Sequence, residues 1–149
     1  MVERLRNKAR ELLKNKQVEL IIGYERASDG VSSRPCFIEN DAHAGSLIWD
    51  AHCVYNLSNY LKDYPGKRIA VVVKKCDLRS IAVLLQENQL KRENVFIIEM
   101  ECQGVIDEKR LGIACAQVQD IGFAQKCKKC PPATILSRDY LIKDKGEKK

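Results

Sequence analysis

Two short apolar runs, "IAVVV" at 69 to 73 and "VFIIEM" at 95 to 100, restrict the fold more than any other feature of this chain. Both are rich in β-branched residues with few polar breaks, the pattern of a strand buried on both faces. Between them, Leu78, Ile81, Ala82 and Leu85 recur at helical spacing, and Asp77 stands where a cap is expected, which predicts a helix from about Leu78 to Gln89. Strand, helix and strand in this order form a right-handed crossover with the two strands parallel. The expectation is an α/β fold with a mostly parallel central sheet flanked by helices.

The rest of the chain is read onto that frame. Residues 2 to 16 place Leu5, Ala9, Leu12 and Leu13 on one face with charges elsewhere, predicting a basic amphipathic helix over 1–16. "VELIIGY" (18 to 24) reads as a first strand ending at Gly23, and "CFIE" as a short second one. "ERASDGVSSRP" between them reads as a loop long enough to serve as a binding or interface element. Leu47, Ile48, Ala51, Val54, Tyr55, Ser58 and Leu61 repeat at three and four, predicting a helix from about Ser46 to Leu61 that "DYPGK" stops. Asp107 is placed to cap a further helix carrying Leu111, Ala114, Cys115 and Val118. The Lys-rich end, 143–149, is expected to be a flexible basic tail. At 149 residues, 45% of them hydrophobic, the chain fits a single domain, 1–149, with a core that needs no disulfide.

The chain contains seven cysteines and lacks both a secretory apolar segment and a run long enough to span a membrane. These features predict a cytoplasmic protein with no membrane association, in which thiols serve metal or redox chemistry. The net charge of +6 sits mostly at the two ends. Without aromatics interleaved among the basic residues, no nucleic-acid partner is expected, and the ends read as solvated faces or a surface for an acidic protein. No phosphate-binding glycine motif, zinc-protease motif or nucleophile elbow occurs, so no self-contained hydrolytic site is visible.

"QKCKKCPP" at 125 to 132 contains a C-x-x-C unit, which serves as a redox dithiol, half a zinc site or half an iron–sulfur site. Cys76 follows the first buried strand and Cys102 the second, so parallel pairing brings both to the carboxyl edge of the sheet. A cysteine-rich C-terminal loop folded over that edge would add Cys127 and Cys130, and Lys74, Lys75, Lys128 and Lys129 would offset the thiolate charge. One knuckle plus two separate strand-end cysteines leans toward a [4Fe-4S] cluster, with zinc or a dithiol as the alternatives. Cys36, Cys53 and Cys115 lie among apolar neighbours and read as core residues; His43 and His52 read as structural.

"KKCDLRSIAVLLQENQLKRENVFIIEMECQGVID", with "WDAHCVYNLSNYL" before it and "KCKKCPP" and "RDYLI" after it, resembles the β-subunit family of coenzyme F420 hydrogenases and dehydrogenases. It looks closest to relatives associated with heterodisulfide-reductase-like or formate dehydrogenase complexes. The resemblance implies that Cys76, Cys102, Cys127 and Cys130 hold an iron–sulfur cluster. It implies an electron-transfer subunit of an anaerobic redox complex, working between a flavin or F420-type site and ferredoxin-type clusters. The partners implied are the other subunits of a hydrogenase, formate dehydrogenase or heterodisulfide-reductase-like complex and a ferredoxin-type protein. Such a chain is a component of an oxidoreductase more than a self-sufficient enzyme. Two alternatives stand beside it: an oxidoreductase subunit that binds FAD and itself turns over F420 or a related carrier, and a zinc-stabilised adaptor. The family's characterised members are longer and bind FAD and F420, whereas this chain has "VKKC" where they have a small polar segment, and a separate polypeptide is expected to supply the ferredoxin-type cluster that relatives often carry as an extension.

Overall fold

A computed structural model describes residues 1–101 and 139–142. The chain opens with helix α1 (Val2–Lys14), then forms β1 (Leu20–Arg26) and β2 (Ser33–Ile38). Two short 3-10 segments follow, Asp41–Ser46 and Leu57–Asp63, before β3 (Ile69–Val73). A 3-10 turn, Lys75–Asp77, runs directly into α2 (Leu78–Gln86); another, Arg92–Asn94, precedes β4 (Val95–Met100), and β5 is Tyr140–Ile142. Among the described residues these strands make one sheet in the order β2-β1-β3-β4-β5. β2 is antiparallel to β1, and the other pairings are parallel. The α/β fold with a mostly parallel sheet is as expected.

Every residue of β3 is buried, as is every residue of β4 except half-buried Phe96, because elements cover both faces of the inner strands. On α1, Leu5, Ala9 and Leu12 are fully enclosed. The helix ends in a left-handed residue, Lys16 (φ 54°), with Gln17 N–H donating to Leu12 O at 3.0 Å and Lys16 N–H to Leu13 O at 3.2 Å. α2 closes in the same way through Asn88 (φ 56°), which stops it at Gln86 short of the expected Gln89.

The segment expected as a helix from Ser46 to Leu61 is not one. Of the positions read at helical spacing, Leu47, Ser58 and Leu61 are buried while Tyr55 is exposed, and local side chains capture the backbone donors a helix would need. Asp50 Oδ1 accepts from His52 N–H at 2.8 Å, and Asn56 Oδ1 from Ser58 N–H at 3.1 Å. The outcome is an irregular strap from residue 47 to 57. The loop expected as a binding element is a hairpin turn: Ala27 N–H donates to Ser32 O at 2.8 Å, and Asp29 Oδ1 accepts from the amides of Val31 and Ser32, each at 2.8 Å.

β5 has no counterpart in the sequence reading. Asp139 docks it by donating its N–H to Ile97 O at 3.1 Å, while its carboxylate accepts from Ile97 N–H at 2.7 Å and pairs with Arg92 at 2.9 Å. The helix expected after Asp107, the C-terminal cysteine loop and the tail 143–149 lie outside the described residues.

Candidate functional site

The carboxyl ends of β1, β3, β4 and β5 share one edge of the sheet, the edge where open α/β sheets bind their ligands. Val73 at the end of β3 is in register with Glu99 of β4. Cys76 lies three residues beyond Val73 in the Lys75–Asp77 turn, where its side chain is exposed. β4 leads to Glu101, which donates its N–H to Ile142 O at 2.9 Å and directly precedes Cys102 in sequence.

The turn that presents Cys76 is fixed by a buried polar network. Lys74, 2% exposed, points inward. Its Nζ donates to Tyr24 Oη at 2.8 Å and to Tyr55 O at 2.7 Å, and pairs with Asp77 Oδ2 at 3.1 Å. Tyr24 Oη donates in turn to Tyr55 O. An ammonium has three donors, and these acceptors occupy them. Lys74 therefore does not lie beside the expected thiolate site as a free counter-charge; its charge is matched by Asp77. Asp77 does not cap α2 either. Its carboxylate reaches back one turn, accepting from Lys74 N–H at 3.0 Å, and Cys76 Sγ lies 3.8 Å from its other oxygen.

Cys36 and Cys53 are buried, as expected for core residues. Burial pushes the Cys36 thiol up to about 12, with the Glu25 carboxylate adding to the effect. Burial pushes Cys53 to about 12 as well, although Asp50 N–H donates toward its sulfur at 3.4 Å. Neither supplies a thiolate at neutral pH, whereas the Cys76 side chain is exposed. His43 is exposed on the Asp41–Ser46 segment, and the Nδ1 of His52 is buried with no hydrogen-bond partner among the described residues. Among the described residues no three His, Cys, Asp or Glu side chains gather closely enough to hold a metal ion. Of the four expected ligands only Cys76 is described; Cys102, Cys127 and Cys130 lie outside the described residues.

The Lys74 network and the strap were not foreseen from the sequence. A trace of the first was present in "KKCD", where a lysine follows a fully buried run with an aspartate three residues on. The apolar spacing in 46 to 61 concealed the second.

No family model matches the chain. It is 32% identical over 100 residues to the F420-dependent formate dehydrogenase subunit beta of Methanocaldococcus jannaschii, an alignment covering 64% of this chain and 26% of that one. It is 28% identical over 94 residues to F420-dependent formate dehydrogenase 1 subunit beta of Methanococcus maripaludis, covering 62% and 24%. The chain is homologous to these beta subunits at the family level. It spans about a quarter of the length of either relative, and both are named as subunits of larger enzymes. A chain of the F420-reducing [NiFe] hydrogenase complex from Methanosarcina barkeri has the same fold, with a TM-score of 0.60 over 71% of this chain and 40% of that one at 12% identity. No helix among the described residues is long and apolar enough to cross a membrane.

Proposed function

We propose that this chain is an electron-transfer component of an anaerobic redox complex of the F420-dependent formate dehydrogenase or hydrogenase type. It holds one [4Fe-4S] cluster through Cys76, Cys102, Cys127 and Cys130, and relays electrons between a flavin or F420-type site and ferredoxin-type clusters. The observation that carries this reading is the register of β3 and β4: it aligns Val73 with Glu99, and each partner is followed three residues later by a cysteine, Cys76 or Cys102. The exposed thiol of Cys76 fits thiolate ligation, while Cys36 and Cys53 are withheld by burial. Family-level homology to the beta subunits supports a redox role for the chain.

When bound, the cluster supplies one-electron chemistry. The chain's own contribution is positional. The Lys74–Asp77 pair keeps the Cys76 turn rigid without leaving a net charge beneath it, and the covered sheet limits water on that side. The test is iron, acid-labile sulfide, zinc and flavin content of anaerobically purified protein, with absorbance before and after dithionite. About four iron and four sulfide per chain with a bleachable band are expected. Zinc without sulfide would replace this reading with a structural adaptor. Stoichiometric flavin beside the cluster would favour a subunit that turns over F420 itself.

A further inference from the structure

The strap between residues 47 and 57 has attachments that its length alone does not require. It enters through Leu47, which packs so closely on Gly23 of β1 that an added Cβ would overlap the leucine Cδ2 methyl. Ile48 N–H then donates to Tyr24 O at 2.9 Å. From there the strap crosses the carboxyl edge of the sheet. Trp49 packs edge-on against Tyr24, ring centroids 5.9 Å apart, and its Nε1–H donates to Glu101 O at 3.3 Å. Further on, Tyr55 O accepts from Lys74 Nζ, and Asn56 Nδ2 donates to Ser80 Oγ in α2 at 2.7 Å.

We propose that this strap is a positioning device that fixes the Cys76 turn relative to the chain at Glu101, with Trp49 and Lys74 as its positioning residues. The proposal rests on the cluster reading above and adds to it what sets the spacing of the ligand-bearing strand ends. One end of the strap is hydrogen-bonded to the residue before Cys102, and the other to the lysine two residues before Cys76. The Lys74 acceptors come from β1, from the strap and from the lysine's own turn. A buried ammonium is satisfied only when all of these are in place, so the turn and the strap order together. Ligands for a cluster must be held within about 0.5 Å, which loops achieve only when tied to rigid elements.

The experiment uses the full chain with Trp49→Phe, which keeps the ring and removes the N–H, and Lys74→Met. Leu12→Ala, in α1 away from the edge, serves as a control for general destabilisation. After anaerobic reconstitution, the two strap variants are expected to retain iron about 10-fold less well than the parent under chelator challenge. The electron paramagnetic resonance spectrum of their reduced cluster should be altered, whereas Leu12→Ala keeps the parental spectrum at equal or lower Tm. Hydrogen exchange on the metal-free chain gives a readout that needs no cluster: the amides of Asp77 and Glu101 should exchange faster in both strap variants and unchanged in the control. Parental exchange at both amides in Trp49→Phe and Lys74→Met overturns the strap. Parental iron retention and spectra in both variants overturn it as well. Failure of the parent chain itself to take up iron and sulfide sinks the cluster reading instead, and the exchange data then decide whether the strap holds the two strand ends.

Discussion

Lys74 Nζ lies 3.1 Å from Asp77 Oδ2, with the two side chains only 3% and 5% exposed, so a complete ion pair is enclosed beneath the Cys76 turn. Removing one member of such a pair leaves an uncompensated buried charge and typically costs about 3–5 kcal/mol. Asp77→Ala is expected to fall in that range, because it also strips the acceptor from Lys74 N–H. Asp77→Asn should cost less, since an amide oxygen can still accept from that N–H. The double variant Lys74→Met with Asp77→Ala should be more stable than the sum of the single losses predicts. Urea unfolding of the parent, Asp77→Ala, Lys74→Met and the double variant measures the coupling, and strict additivity would show that the pair contributes nothing as a pair.

Gly23 is set by packing, not by a turn, since it lies in the middle of β1 and pairs with Cys36 of β2. A methyl group at this position would collide with the Leu47 side chain, which is fully buried. Gly23→Ala should therefore destabilise by about 1–3 kcal/mol, the usual cost of overpacking. Shortening Leu47 to Ala in the Gly23→Ala background should recover part of the loss. A thermal melt of the pair against both single variants checks this, and no recovery would mean that the strap is not seated on Gly23.

Those two sites illustrate what could be read in advance. β3, α2 and β4 were legible because burial on both faces leaves a continuous apolar run, and a helix on one face leaves a 3.6-residue period. The placement of Cys76 at the carboxyl edge followed from that order alone. The strap was concealed because Leu47, Ile48, Ala51, Val54, Tyr55, Ser58 and Leu61 recur at spacings a helix would use, while Asp50 and Asn56 take the backbone bonds. The direction of Lys74 was hidden for a different reason. Its partners Tyr24 and Tyr55 are 50 and 19 residues away, and the only local trace is Asp77 three residues on, which the sequence equally allows as a helix cap. β5 is only three residues long, too short for periodicity to register.

The buried thiols predict a dependence on alkaline pH. Cys36 and Cys53 stand at about 12 in the folded chain against an ordinary value of 9.0. Below pH 9 both states keep their protons and the contribution is constant. Above it the unfolded chain loses protons that the folded chain retains, so unfolding is favoured increasingly as pH rises toward 12. The slope approaches about 1.4 kcal/mol per pH unit for each thiol. Denaturant midpoints should be flat from pH 7 to 8.5 and fall beyond it, and Cys53→Ala should flatten the fall. In the native protein at pH 8, alkylation followed by peptide mapping should modify Cys76 well before Cys36 or Cys53; equal labelling would contradict their burial.

Removing single cysteines tests the proposed ligand set directly. Cys76 is presented on a turn held by a buried ion pair, and β4, in parallel register with β3, ends at the same edge. A cubane cluster bound by four thiolates loses a corner ligand when one is removed, and water or buffer thiols substitute poorly in its place. Cys76→Ala and Cys102→Ala should each abolish a stable four-iron complement, and Cys127→Ala and Cys130→Ala should do the same. Cys115→Ala and Cys53→Ala should leave iron and sulfide at the parental level, with Cys53→Ala lowering Tm through the cavity it opens. Iron and sulfide assays with Mössbauer spectra on the anaerobically reconstituted series make the comparison. Full clusters in both Cys76→Ala and Cys102→Ala would remove the strand ends from the ligand set and, with them, the reason for placing an electron-transfer centre at this edge.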